Sequence, residues 1–89
     1  MALMDVTPQE AIERADREQS GEALYDLGIL YSTGQGVELD YVEAHKWFNL
    51  AALRGSQEAR DWRAELSMEM TANEIAEAQR QAREWLSVH

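Results

Sequence analysis

The residues of this chain that could do chemistry are two histidines, a scatter of serines and a surplus of carboxylates. His45 has no second His or Cys at ligand spacing, and the sequence contains no Cys at all, so a four-ligand zinc site lacks its donors. Glu43 stands two residues from His45. On a helix that offset turns the two side chains about 200° apart, which keeps them from sharing an ion. His89 has no His or Cys at ligand spacing either. Gly34-Gln35-Gly36 does not follow a strand, so it reads as a turn between helices rather than a phosphate loop. Serine and histidine both occur without the context of a nucleophilic triad. The pattern points away from an enzyme and predicts no catalytic, cofactor-binding or metal residues.

The carboxylates speak instead through the overall field. Asp and Glu number 17 against 8 Lys and Arg, a net charge of −9. Such a field repels phosphate backbones and anionic membranes and favours basic partners. It also serves solubility. Arg60 and Arg63 alternate with Glu58, Asp61 and Glu65, and Arg80 and Arg83 with Glu77 and Glu84, so no basic stripe for nucleic acid forms. The 89 residues predict a single domain. Met1–Glu10 lacks the basic start and apolar run of a signal peptide. No stretch approaches the roughly 18 apolar residues of a membrane span. The absence of Cys suits a reducing compartment, and a cytoplasmic location is expected.

Helix signals recur along the chain. Thr7 and Glu10, Asp40 and Glu43, and Thr71 and Glu74 are spaced as capping boxes, with Pro8 at a first helical position. Ser20 and Ser56 can cap two further helices. The spacing predicts five: Pro8 to about Gln19, Gly21 to about Thr33, Tyr41 to about Arg54, Gln57 to about Glu69, and Ala72 to about Ser87. The first has a thin apolar set of Ala11, Ile12 and Ala15, with Leu3 and Val6 nearby. The second places Ala23, Leu27, Leu30 and Tyr31 on one face, and Gly28 in its middle calls for close approach by another helix. Gly34 suits the left-handed residue that ends it. The third offers Ala44, Trp47, Phe48, Ala51 and Ala52. The fourth offers Ala59, Trp62, Leu66 and Met70, with Trp62 expected between the fourth and fifth helices. The fifth carries Ile75, Ala78, Ala82, Trp85 and Leu86.

The chain also repeats itself. Ser20-Gly21-Glu22-Ala23 returns as Ser56-Gln57-Glu58-Ala59, and Glu43-Ala44 returns as Glu77-Ala78. Offsets of 36 and 34 residues, each spanning two helices, signal an α-solenoid. The run Ala23, Leu27-Gly28, Tyr31, Gly34, Gly36-Val37, Asp40, Ala44, Trp47-Phe48, Ala51-Ala52, Gly55 and Ala59 resembles the Sel-one-like repeat, a relative of the tetratricopeptide repeat. Asp61 to Leu86 is similar to the tail of small bacterial proteins with one such repeat. The resemblance implies an all-α superhelix of antiparallel helix pairs: a cap at 1–19, a complete repeat at 20–55, and a degenerate repeat at 56–89. It implies a non-catalytic adaptor in protein assemblies, often in signalling.

In related repeats the first helix of each pair lines the concave surface. Carried over by position, Glu22, Tyr25, Ile29 and Ser32 line that groove from the second helix. Glu58, Asp61, Glu65 and Met68 line it from the fourth. Tyr25 and Ile29 either pack against the first helix or lie open between carboxylates, where they would suit a basic, partly apolar segment. Trp85 either seals the end of the core or anchors an interface. The second option, with the thin first helix, supports an alternative reading as a self-assembling protein whose terminal helices form a homodimer.

Overall fold

A computed structural model describes residues 7–89. Among them the chain forms five helices: α1 (Pro8–Glu18), α2 (Gly21–Thr33), α3 (Tyr41–Leu53), α4 (Gln57–Ser67) and α5 (Ala72–Val88). The protein is all-α, as its capping signals and periodicities require. Leu3 and Val6 lie outside the described residues.

Each helix begins where a short polar side chain can satisfy a free backbone N–H. Thr7, Ser20, Asp40, Ser56 and Thr71 each accept from the N–H three residues on. Thr7–Glu10 and Thr71–Glu74 close as reciprocal capping boxes. Asp40–Glu43 does not close. Asp40 accepts from the Glu43 N–H at 3.1 Å, but the Glu43 carboxylate turns away. It accepts from the Trp47 indole N–H at 3.1 Å and pairs with Lys46 at 2.9 Å. A buried indole N–H needs a partner, and an ammonium nearby strengthens the draw, so these contacts win over the backbone at the cap. α2 stops at Gly34, whose φ of 70° is the left-handed turn that glycine adopts freely.

The core is a helix pair with additions. α2 and α3 make the most extensive contact, α1 lies on α2, and α4 and α5 each rest on α3 far more than on one another. Leu24, Leu27 and Leu30 of α2 meet Ala44, Phe48, Leu50 and Ala51 of α3 in one buried cluster. Gly28 makes the close approach possible. A Cβ there would lie 2.9 Å from Phe48 Cγ and closer still to the ring edge. On α1 only Ala11 and Ala15 are buried; Ile12, expected beside them, is 37% exposed. Two small residues let α1 lie close to α2 but leave the larger side chain at the margin. Met70 lies past the end of α4 yet packs partly against the core.

His45 lies in the interior, at 2% exposure. The Ser67 hydroxyl donates to the Arg63 carbonyl at 2.8 Å, so His45 Nε2–H donates to Ser67 Oγ at 3.0 Å. Nδ1 is left buried with no hydrogen-bond partner. Burial, with nearby Arg63 second, holds the imidazole below its ordinary pKa and therefore neutral. Among the described residues no group of acidic or His side chains could hold a metal ion. Among the same residues no helix is long and apolar enough to cross a membrane.

Candidate interaction surface

The surface of interest follows from how α2 and α4 sit on α3. Both begin at one end of the valley between them, where Gly21 and Glu22 face Ser56 and Glu58 across a first cleft. Both finish at the other end, where Ser32 and Thr33 face Glu65 and Leu66 across a second. The two helices therefore run parallel, and their macrodipoles point the same way.

Three rings connect the ends. Phe48 is fully buried on α3 and lies between Tyr25 of α2, at 5.9 Å and 45°, and Trp62 of α4, at 6.3 Å and 15°. The Trp62 ring thus lies nearly parallel to the Phe48 ring while remaining 44% exposed. Its place is the valley, not the space between the fourth and fifth helices. Ala59 and Leu66 are the buried residues of α4, and α4 rests on α3. Trp62 lies between them on the same face, so it meets α3.

The first cleft has a volume of about 380 Å³ and brings together Glu22, Tyr25 and Glu58 with Asp26 and Arg54. Its acidity is moderated. Arg14 of α1 reaches over to pair with Glu22 at 3.0 Å and Asp26 at 2.9 Å, as well as with Glu18. Burial raises the Asp26 pKa against the opposing pull of Arg14. The second cleft, about 210 Å³, contains Ser32 and Glu65 with Thr33, Tyr41, Trp62, Leu66 and Glu69. No Lys, Arg or His lines it.

The remaining expected residues separate. Ile29 is half-buried against the core between the two clefts. Asp61 is exposed and accepts from the Gln57 side chain; it lines neither cleft. Met68, 73% exposed, also lines neither. Trp85 is half-buried on α5, edge-on to Trp47 at 6.0 Å and 83°. The His89 ring stacks on it at 3.9 Å, and His89 Nε2 reaches Asp16 of α1. Trp85 packs against the core and has no part in the valley.

A family model described as the Sel1 repeat matches residues 21–56. Over that stretch the chain is similar to a Sel1 repeat. The matched residues are α2, the loop, α3 and the Ser56 cap of α4, so the valley lies along one Sel1 helix and the helix that follows the repeat. Sel1 repeats generally mediate protein–protein interaction. No curated protein and no solved structure matches the chain.

Trp62 and Tyr41 were not expected in the groove. Carrying positions over at an offset of 36 residues selects Asp61, the neighbour of Trp62. The signal for Trp62 was present in the spacing of Ala59, Trp62 and Leu66: three residues on one face, of which only the Trp is too large to be swallowed by a small contact.

Proposed function

We propose that the protein is a non-catalytic adaptor that binds a basic or amphipathic segment of another protein along the valley between α2 and α4. The aromatic lane carries this reading. Tyr25 and Trp62 flank buried Phe48, with Glu22 and Glu58 at one end and Glu65 and Glu69 at the other. Aromatic side chains held by packing lose little entropy on binding, and carboxylates at the rim add charge preference and a faster encounter. The net charge of −9 acts in the same direction. Asp61 and Met68 line neither cleft, and the polar groups of this surface are those of the clefts.

Selection from a displayed library of random peptides tests the reading. Enriched peptides should carry Lys or Arg among apolar residues, and their affinity should fall with salt. The Asp61→Lys, Glu65→Lys variant should bind them more weakly, with a shallower salt dependence. Enrichment of acidic peptides, or equal binding to the variant, would remove the valley from the account. A library that yields nothing, with a chain that self-associates in light scattering, would favour the homodimer. α5 supplies the observation behind that second reading, since Val88 is 75% exposed near Trp85.

A further inference from the structure

The second cleft is unusual in what it offers a ligand. The Ser32 hydroxyl donates to the Ile29 carbonyl at 3.2 Å, and the Thr33 hydroxyl donates to the same carbonyl at 2.7 Å. With their protons committed, both hydroxyls present only lone pairs outward. Glu65 and Glu69 are exposed carboxylates with no ion pair among the described residues, and they too only accept. Trp62 adds a flat π-face backed by Phe48. Among the lining side chains the donors are the Tyr41 hydroxyl, which can also accept, and the Trp62 indole N–H.

The two carboxylates stand where the helix disfavours them. Glu65 is in the last turn of α4 and Glu69 lies just beyond it, at the end whose partial charge is negative. The end of α2 opens at the same cleft. Both carboxylates line the same cleft. The helix end does not favour them, and a cation in the cleft would interact favourably with both.

A wall of acceptors around an aromatic face fits a group that only donates and carries positive charge. A guanidinium does both, is planar, and stacks on indole, which an ammonium matches less well. At about 210 Å³ the cleft is smaller than the roughly 300 Å³ at which small-molecule sites begin, and is suited to one side chain. We propose that this cleft is a subsite for a single arginine side chain of the partner protein. The proposal rests on the adaptor reading above and fixes the chemistry of one contact within it.

The probe is N-acetyl-arginine amide, titrated into the full chain while the three indole N–H resonances are followed by NMR. N-acetyl-citrulline amide, nearly the same shape without the charge, and N-acetyl-lysine amide are run beside it. The Trp62 resonance should shift saturably with the arginine amide, less with the lysine amide and hardly at all with the citrulline amide. Trp47 and Trp85 should stay in place. The Glu65→Gln, Glu69→Gln variant, changed only at exposed positions, should weaken the arginine amide about two- to fivefold. The proposal is overturned if citrulline amide shifts Trp62 equally, if no saturable shift occurs, or if the Gln variant binds as the wild type does. Library peptides that lack arginine and ignore the Gln variant would also overturn it, while leaving the adaptor reading standing. If no peptide is selected at all, the adaptor reading fails, and the arginine proposal that rests on it falls with it.

Discussion

Gly28→Ala sets two effects against each other at one atom. An alanine in the middle of α2 gains about 1 kcal/mol of helix propensity over glycine. Its Cβ, however, would lie 2.9 Å from Phe48 Cγ and closer to the ring edge, where carbon atoms normally stand about 3.5–4.0 Å apart. The ring must retreat by roughly an ångström. It is fully buried and has Tyr25 on one side and Trp62 on the other. Overpacking of this kind costs about 1–3 kcal/mol, and the absence of slack places the cost towards the top of that range. The net expectation is a loss of about 1–2 kcal/mol. For a domain of this size that lowers Tm by roughly 4–16 °C. Thermal unfolding followed by circular dichroism reads the loss, and Trp62 fluorescence should change because its backing ring has moved. Phe48→Leu should cost less in the Gly28→Ala background than in the wild type, with a coupling of about 1 kcal/mol or more. A Tm at or above that of the wild type, or strictly additive single changes, would refute the claim that Gly28 exists to admit Phe48.

Trp47→Ala removes a buried ring, its bond to Glu43 and the edge contact to Trp85. It should cost about 3–5 kcal/mol, a large part of what a small domain possesses, so urea titration should show a much lower midpoint. His45 is held below its ordinary pKa of 6.5. Its contribution is therefore complete above pH 6.5 and is lost as pH falls toward the depressed folded value, since the buried ring must then charge. His45→Leu should abolish that acid-side decline in a pH series of Tm values. His89 has the opposite sign. Its bonds to Asp16 and to the Trp85 carbonyl raise its pKa, so its contribution is complete below 6.5 and is lost as pH rises through the folded value. Asp16→Asn should shrink that alkaline-side decline, leaving the part that the Trp85 carbonyl sustains, and should leave the acid side unchanged.

Local chemistry in the sequence is faithfully reproduced in the structure. The five N-caps and the Gly34 terminator each depend on residues within a turn of one another, so their spacing is sufficient evidence. Gly28 was also legible, because a glycine in a helix asks for a close neighbour. The rotation of α4 was harder to read. Arg63 stands 36 residues after Leu27 and turns to the Asn49 side chain at 2.6 Å rather than to apolar packing. The repeat register therefore does not fix which flank enters the valley, and Trp62 takes the place expected of Asp61. Glu43 shows a second limit. Its spacing from Asp40 satisfies the capping rule, but Lys46 and Trp47 compete for the same carboxylate. Arg14, whose partners span α1 and α2, illustrates a third. An ion pair between helices leaves no periodic trace in either of them.

Among the described residues, α4 and α5 both rest chiefly on α3. The consequence concerns the order in which the protein comes apart. α5 can open without taking α4 with it, and the reverse holds as well, because little joins them directly. Native-state hydrogen exchange should then resolve separate openings for the two, both at lower free energy than the α2–α3 pair beneath. The same arrangement makes folding a matter of one central hairpin assembled from near neighbours in the chain. Short-range assembly of this kind is fast, and each later helix adds its share of stability on arrival.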